Sequence, residues 1–95
     1  MIIVNGTFEV DPGQRDAFLA ERHERIRSSR AEAGCLEYTF AADPLQADRV
    51  VLFERWESQS HLDAHLAGPS PATQIAARTA TITLYDVTRE RPLGR

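Results

Sequence analysis

Apolar positions recur along this chain with two different periods. From Met1 to Val10 the residues Ile2, Val4, Phe8 and Val10 share one face, with Gly6 between them, and Ile3, Asn5, Thr7 and Glu9 share the other. That alternation predicts a first strand. Cys35 to Ala41 alternates likewise, Leu36, Tyr38 and Phe40 against Cys35, Glu37 and Thr39, and predicts a second. A third begins at Arg49 and carries the apolar run Val50-Val51-Leu52-Phe53, two of whose members are β-branched. Thr79 to Thr88, with Ile82, Leu84, Tyr85 and Val87, predicts the last.

Helical spacing fills the gaps. Asp11-Pro12-Gly13-Gln14 reads as a helix start, with Asp as cap, Pro at the first helical position and Gln three residues after the cap. The helix is expected to run to about Ala33 and stop at Gly34, with Phe18, Arg22, Ile26, Ser29 and Ala33 on one face and Leu19 at its edge. Arg22 is out of place in that stripe. Its guanidinium either reaches a carboxylate, a ligand or water, or snorkels from a loosely covered face. Arg25, Arg27 and Arg30 read as a solvated face paired with Glu21 and Glu24. A second helix starts at the cap Ser58 and carries Leu62, His65 and Leu66. Gly68-Pro69-Ser70-Pro71 breaks it, a weakly helical piece is expected over 72–78, and residues 88–95 read as an extended arm.

The order β-α-β-β-α-β is that of an α+β, ferredoxin-like fold: a four-stranded antiparallel sheet with both helices on one face, in one domain spanning 1–95. Two helices cover one face of a sheet only. Strand three is apolar on both faces, Val51 and Phe53 against Val50, Leu52 and Trp56, so a second copy packed sheet to sheet is expected.

Composition narrows the function. A net charge of −3 carried by eleven Arg and no Lys leaves no basic patch for nucleic acid. The single cysteine, Cys35, excludes an internal disulfide and fits a reducing, cytoplasmic setting. No apolar run approaches the length of a membrane span, and no signal peptide is evident. Asn5 is notable because a mid-strand Asn needs partners or a ligand for its amide, unless it sits partly solvated near an edge. His61 and His65 lie one helical turn apart, as in helical metal sites, but no third ligand has matching spacing and no metal is expected.

Arg30-Ala31-Glu32-Ala33-Gly34-Cys35-Leu36-Glu37-Tyr38, Asp43-Pro44, Leu52-Phe53-Glu54-Arg55-Trp56-Glu57-Ser58, Leu62-Asp63-Ala64-His65-Leu66 and Leu84-Tyr85-Asp86-Val87 follow one another in an order that resembles the antibiotic biosynthesis monooxygenase family, quinol monooxygenase-like proteins included. The resemblance implies a homodimeric α/β barrel with a pocket between helices and sheet in each subunit. It also implies oxidation of a quinol- or anthrone-type aromatic by molecular oxygen without flavin or metal. Such a substrate, once deprotonated, itself gives an electron to oxygen, so the protein must bind it, favour its anion and exclude water. On that footing His65 is the candidate base, since histidine titrates near neutrality. Asn5 and Arg22 are candidates to hold the oxygen anion, and Trp56, Tyr38 and Glu54 are candidates to bind the substrate. Trp56 also has the plainer role of a core anchor, and Glu54 that of an ion-pair partner, Arg22 among the options. Haem chemistry is not expected, because no His follows His65. A non-catalytic small-molecule binder and a cyclase or isomerase on the same scaffold are the alternatives.

Overall fold

The computed structural model describes residues 1–94. Strands β1 (Ile2–Glu9), β2 (Cys35–Ala42), β3 (Arg49–Trp56) and β4 (Thr79–Asp86) form one sheet in the order β2-β3-β1-β4. Every neighbouring pair is antiparallel. Helices α1 (Arg15–Ala20), α2 (His23–Arg30) and α3 (Gln59–Ala67) complete a β-α-α-β-β-α-β chain, the ferredoxin-like arrangement with one helix divided. No helix among the described residues is long and apolar enough to cross a membrane.

The division of the first helix departs from the continuous one expected over 12–33, and Arg22 explains it. A regular helix would send the Arg22 backbone N–H to the carbonyl of Phe18. That carbonyl instead accepts from the Arg22 guanidinium at 2.8 Å, and the backbone N–H turns to Leu19 one residue nearer, at 3.0 Å. The N-terminal turn Pro12–Gln14 is 3₁₀, with the Asp11 side chain accepting from the Gly13 N–H as a cap. α2 ends at Arg30, short of Ala33, because Ala31 and Glu32 bond back three residues and tighten the last turn. Gly34 follows with φ +79°, the left-handed conformation that reverses the chain into β2.

Alternation on β3 sorts the sheet into two faces. Val50, Leu52, Glu54 and Trp56 are buried on the helix side, whereas Val51, Phe53 and Arg55 are only half covered on the other. With Ile2, Val4, Tyr38 and Leu62, the residues Leu52 and Trp56 form the main core; Val10, Phe18 and Val50 form a second cluster at the far end. The opposite face, which also carries Ile3 and the exposed Tyr85, has no cover within the single chain. The helical piece expected over 72–78 does not form. The backbone N–H groups of Gln74 and Ile75 are taken by the Glu21 carboxylate, each at 2.9 Å, and the segment crosses the helices as an extended strap. β4 stops at Asp86, two residues earlier than expected, and residues 87–94 form no helix or strand. Arg95, the end of the expected arm, lies outside the described residues.

The joint between β3 and α3 is pinned against Gly34, whose carbonyl accepts from the Glu57 N–H at 2.9 Å. A side chain at Gly34 would overlap the His61 imidazole, which is itself held by Ser58 at 2.7 Å. Gly34→Ala is therefore expected to destabilise the protein by more than about 2 kcal/mol in urea unfolding, from backbone strain and overpacking together. Adding His61→Ala removes the imidazole but keeps its Cβ, 2.7 Å from the added carbon, so the double variant should recover part of the loss and not all of it; equal losses in the single and double variants would show that the His61 ring is not the obstacle.

Candidate functional site

α3 begins where Ser58, in extended conformation, caps it with a side-chain oxygen that accepts from the His61 N–H at 3.2 Å. From that start the helical period turns Leu62 and His65 inward, and His65 is 5% exposed. Its ring lies over Trp56 with centroids 4.7 Å apart and beside Tyr38 at 5.4 Å. The hydrogen bonds of the imidazole fix its tautomer. Nδ1 faces both carboxylate oxygens of Glu32 at 3.0 and 3.2 Å, and a carboxylate can only accept, so Nδ1 carries the hydrogen. Nε2 faces the Arg25 guanidinium at 3.2 Å, which can only donate, so Nε2 presents its lone pair.

Arg25 is the hub of the site. Its Nε donates to the Tyr38 hydroxyl at 3.0 Å, one terminal nitrogen to Ser70 Oγ of the strap at 2.9 Å, and the other to His65. A guanidinium carries five N–H groups, so two remain for a guest. Around it opens a cavity of about 360 Å³, between helices and sheet. Phe8, Phe40, Leu52, Leu66, Ile82 and Leu84 supply its apolar wall, and Arg25, Tyr38, Glu54 and His65 its polar groups. The cavity opens to solvent where Leu66, Ile82 and Leu84 are exposed; apolar walls with a few convergent polar atoms are the form of a small-molecule site, at the small end of the usual range of roughly 300–1,000 Å³.

The electrostatics follow from burial. Glu54, 6% exposed, accepts from the Trp56 indole N–H at 3.0 Å. Desolvation raises its pKa above the ordinary carboxylate value, against the downward pull of Trp56, His65 and Arg25. Burial likewise raises the Tyr38 hydroxyl, against the Arg25 hydrogen bond. A polar group that stays uncharged beside apolar walls can donate a hydrogen bond to a developing anion.

The structure thus gathers His65, Tyr38 and Glu54 around one cavity and sets Trp56 behind them, fully buried, holding Glu54 and stacking on His65. It does not bring Asn5 to them. Asn5 pairs with Phe53 and Thr83 and is exposed on the face away from the helices, because odd-numbered residues of β1 point there. Arg22 is also elsewhere, at the break between α1 and α2, with its guanidinium carbon 3.3 Å from the centre of the Phe18 ring. Burial lowers its pKa, and Glu21 rather than Glu54 is its nearest carboxylate, at 4.0 Å. His61 and His65 have separate partners, and among the described residues no three His, Cys, Asp or Glu side chains gather as a metal group. Arg25 and Glu32 are the residues that sequence reasoning missed. The signal was present: Arg25, Ser29 and Glu32 recur at helical spacing on one face, and Ser29 is 1% exposed.

The antibiotic biosynthesis monooxygenase family model matches residues 1–73. Among curated proteins, the chain is 29% identical over 98 residues to Uncharacterized protein sll1783 of Synechocystis, covering 97% of this chain and 67% of that one. It is 28% identical over 65 residues to a Bacillus subtilis protein named Putative monooxygenase YcnE, covering 68% of each. Among solved structures, Rv0793 of Mycobacterium tuberculosis superposes with a TM-score of 0.76 at 27% identity, over 94% of this chain and 96% of that one. A Deinococcus radiodurans structure titled as a putative antibiotic biosynthesis monooxygenase shares the fold across 100% of both chains, with a TM-score of 0.88 at 21% identity.

The raised pKa of Glu54 has a thermodynamic sign. The folded acid ionises less readily than the unfolded one, so its contribution to stability is full below the ordinary carboxylate pKa. It is lost as pH rises from there through the higher folded value. Glu54→Gln removes the titration and keeps an oxygen for Trp56. Urea unfolding is expected to show the variant gaining on wild type between pH 4 and pH 8; a gap that narrows over that range would contradict the sign.

Proposed function

The chain belongs to the antibiotic biosynthesis monooxygenase family, and on that premise we propose that it oxidises a quinol- or anthrone-type aromatic with molecular oxygen, the substrate itself supplying the electrons. The observation that carries this reading is the unprotonated Nε2 of His65, which accepts from Arg25 at the wall of an apolar cavity while Glu32 holds the ring from behind. A phenolic or benzylic proton passes to Nε2 when Arg25 leaves that nitrogen and turns its free N–H groups to the new oxygen anion. Tyr38, bonded to Arg25, donates to the same anion. Glu32 keeps the imidazole oriented and stabilises its charged form. The apolar wall keeps water from the carbanion and from the radical pair that forms when the anion gives an electron to oxygen.

Two copies meeting through their sheets support a closed particle. Ile3, Val51 and Phe53 are only half covered, and Tyr85 is exposed, on the face that the helices leave bare. In that assembly Asn5 belongs to the subunit contact rather than to the cavity, so Asn5→Ala is expected to leave turnover within about twofold, whereas truncating a general base costs on the order of 10²–10⁴-fold.

Oxygen uptake by metal-free protein with a panel of hydroquinones and anthrones tests the activity. Wild type is expected to consume oxygen, and His65→Ala to lower kcat by about 10²-fold or more with KM little changed. Binding without uptake would make the protein a carrier, and turnover under nitrogen an isomerase or cyclase. Light scattering is expected to give twice the chain mass for wild type and the single mass for Phe53→Asp; a wild-type monomer would remove the paired-sheet particle.

A further inference from the structure

Glu54 is the one buried acid of the cavity that the proton abstraction above leaves unused. It stands two residues before the end of β3, paired with Val4 of β1 and Tyr38 of β2, on the side facing the helices. One carboxyl oxygen accepts from the Trp56 indole. Among the described residues the other has no hydrogen-bond partner in the protein, and no cation forms an ion pair with Glu54. An isolated buried carboxylate is costly, and here the indole fixes which oxygen accepts, so a proton on the group sits on the free oxygen. That oxygen belongs to a cavity-lining residue on the sheet, and His65 lines the same cavity from α3. The site thus holds two proton-handling groups on facing walls.

We propose that Glu54 is the acid that protonates the oxygen departing from a substrate peroxide, and that it works in sequence with the base His65. The inference rests on the monooxygenase reading. Converting an anthrone-type CH₂ to a carbonyl with oxygen removes two protons from one carbon and releases one water. His65 Nε2 takes the first proton; the anion passes one electron to oxygen, the radical pair closes a C–O bond, and the peroxide recovers the proton from the imidazolium. Nε2 then takes the second C–H proton. That electron pair becomes the second bond of the carbonyl, the O–O bond breaks, and the departing hydroxide takes the Glu54 proton to leave as water. The imidazolium returns its proton to Glu54 through water in the emptied cavity, and the net change is CH₂ plus O₂ to C=O plus H₂O. A hydroxide expelled into an apolar cavity without that proton would be unsolvated, which is why the second step needs an acid where the first needed a base.

The groups that set the proton on Glu54 are Trp56 on its own strand, Tyr38 and Cys35 on β2, Arg25 on α2, Glu32 beyond it, and His65 on α3. β1 and β4 bring Val4 and Leu84, which carry no charge. The experiment uses 1,8-dihydroxyanthrone with wild type, Glu54→Gln and Trp56→Phe, following oxygen uptake, quinone formation and hydroperoxide build-up across pH. Wild-type kcat should fall on the alkaline side as the acid ionises. Glu54→Gln should lower kcat by about 10²-fold, flatten that limb and let hydroperoxide accumulate while KM stays within about threefold. Trp56→Phe removes a donor that favours the carboxylate, so its alkaline limb should move to higher pH. A Gln variant that turns over within about threefold of wild type and keeps the same alkaline limb overturns the role of Glu54 alone. Absence of oxygen uptake by wild type overturns the monooxygenase reading and this inference with it.

Discussion

The strand-to-helix joint at Trp56–Ser58 is the constraint on which the rest of the molecule depends. β3 delivers Leu52, Glu54 and Trp56 to the helix side only because its alternation is unbroken up to the joint. One residue of slip would turn all three to the opposite face. Ser58 then starts α3 at once, so His65 lands over Trp56 at 4.7 Å rather than on the outer surface of the helix. Gly34 makes this possible from the other side, since only a residue without a side chain leaves room for His61 at the first turn of α3.

The polar groups that line the cavity are held in pairs, each for a physical reason. His65 has Glu32 and Arg25 on its two nitrogens, Tyr38 has Arg25, and Glu54 has the Trp56 indole. Burying any of the three without a partner would be costly. Yet the partners stop short of full satisfaction. Arg25 keeps donors in reserve, and Glu54 keeps one oxygen free. Reserved hydrogen-bonding capacity beside an apolar cavity is what a candidate small-molecule site offers and a fully satisfied buried network does not. Arg25 also ties the cavity to the strap through Ser70.

The sequence by itself determined the elements and their order. Period-two runs placed β1 and β2 almost to the residue, the apolar run Val50–Phe53 marked β3, Ser58 marked the start of α3, and Gly34 marked the turn into β2, because these signals are local. Spaced motifs also carried the family, and the aromatic and acidic residues of β3 were legible as part of the candidate site. Only the tertiary structure decided which polar residues meet. Arg22 and Arg25 sit three apart in the stretch expected as one helix, but the Phe18 carbonyl captures the first and the Tyr38–His65 pair the second. Asn5 looked like a pocket residue until the sheet assigned its side chain to the uncovered face. The 72–78 strap, too, was settled by a distant partner, when Glu21 took the backbone donors a helix would have used. Periodicity reports the face a residue occupies along its own element; which side chain from another element stands opposite is fixed only when the elements pack.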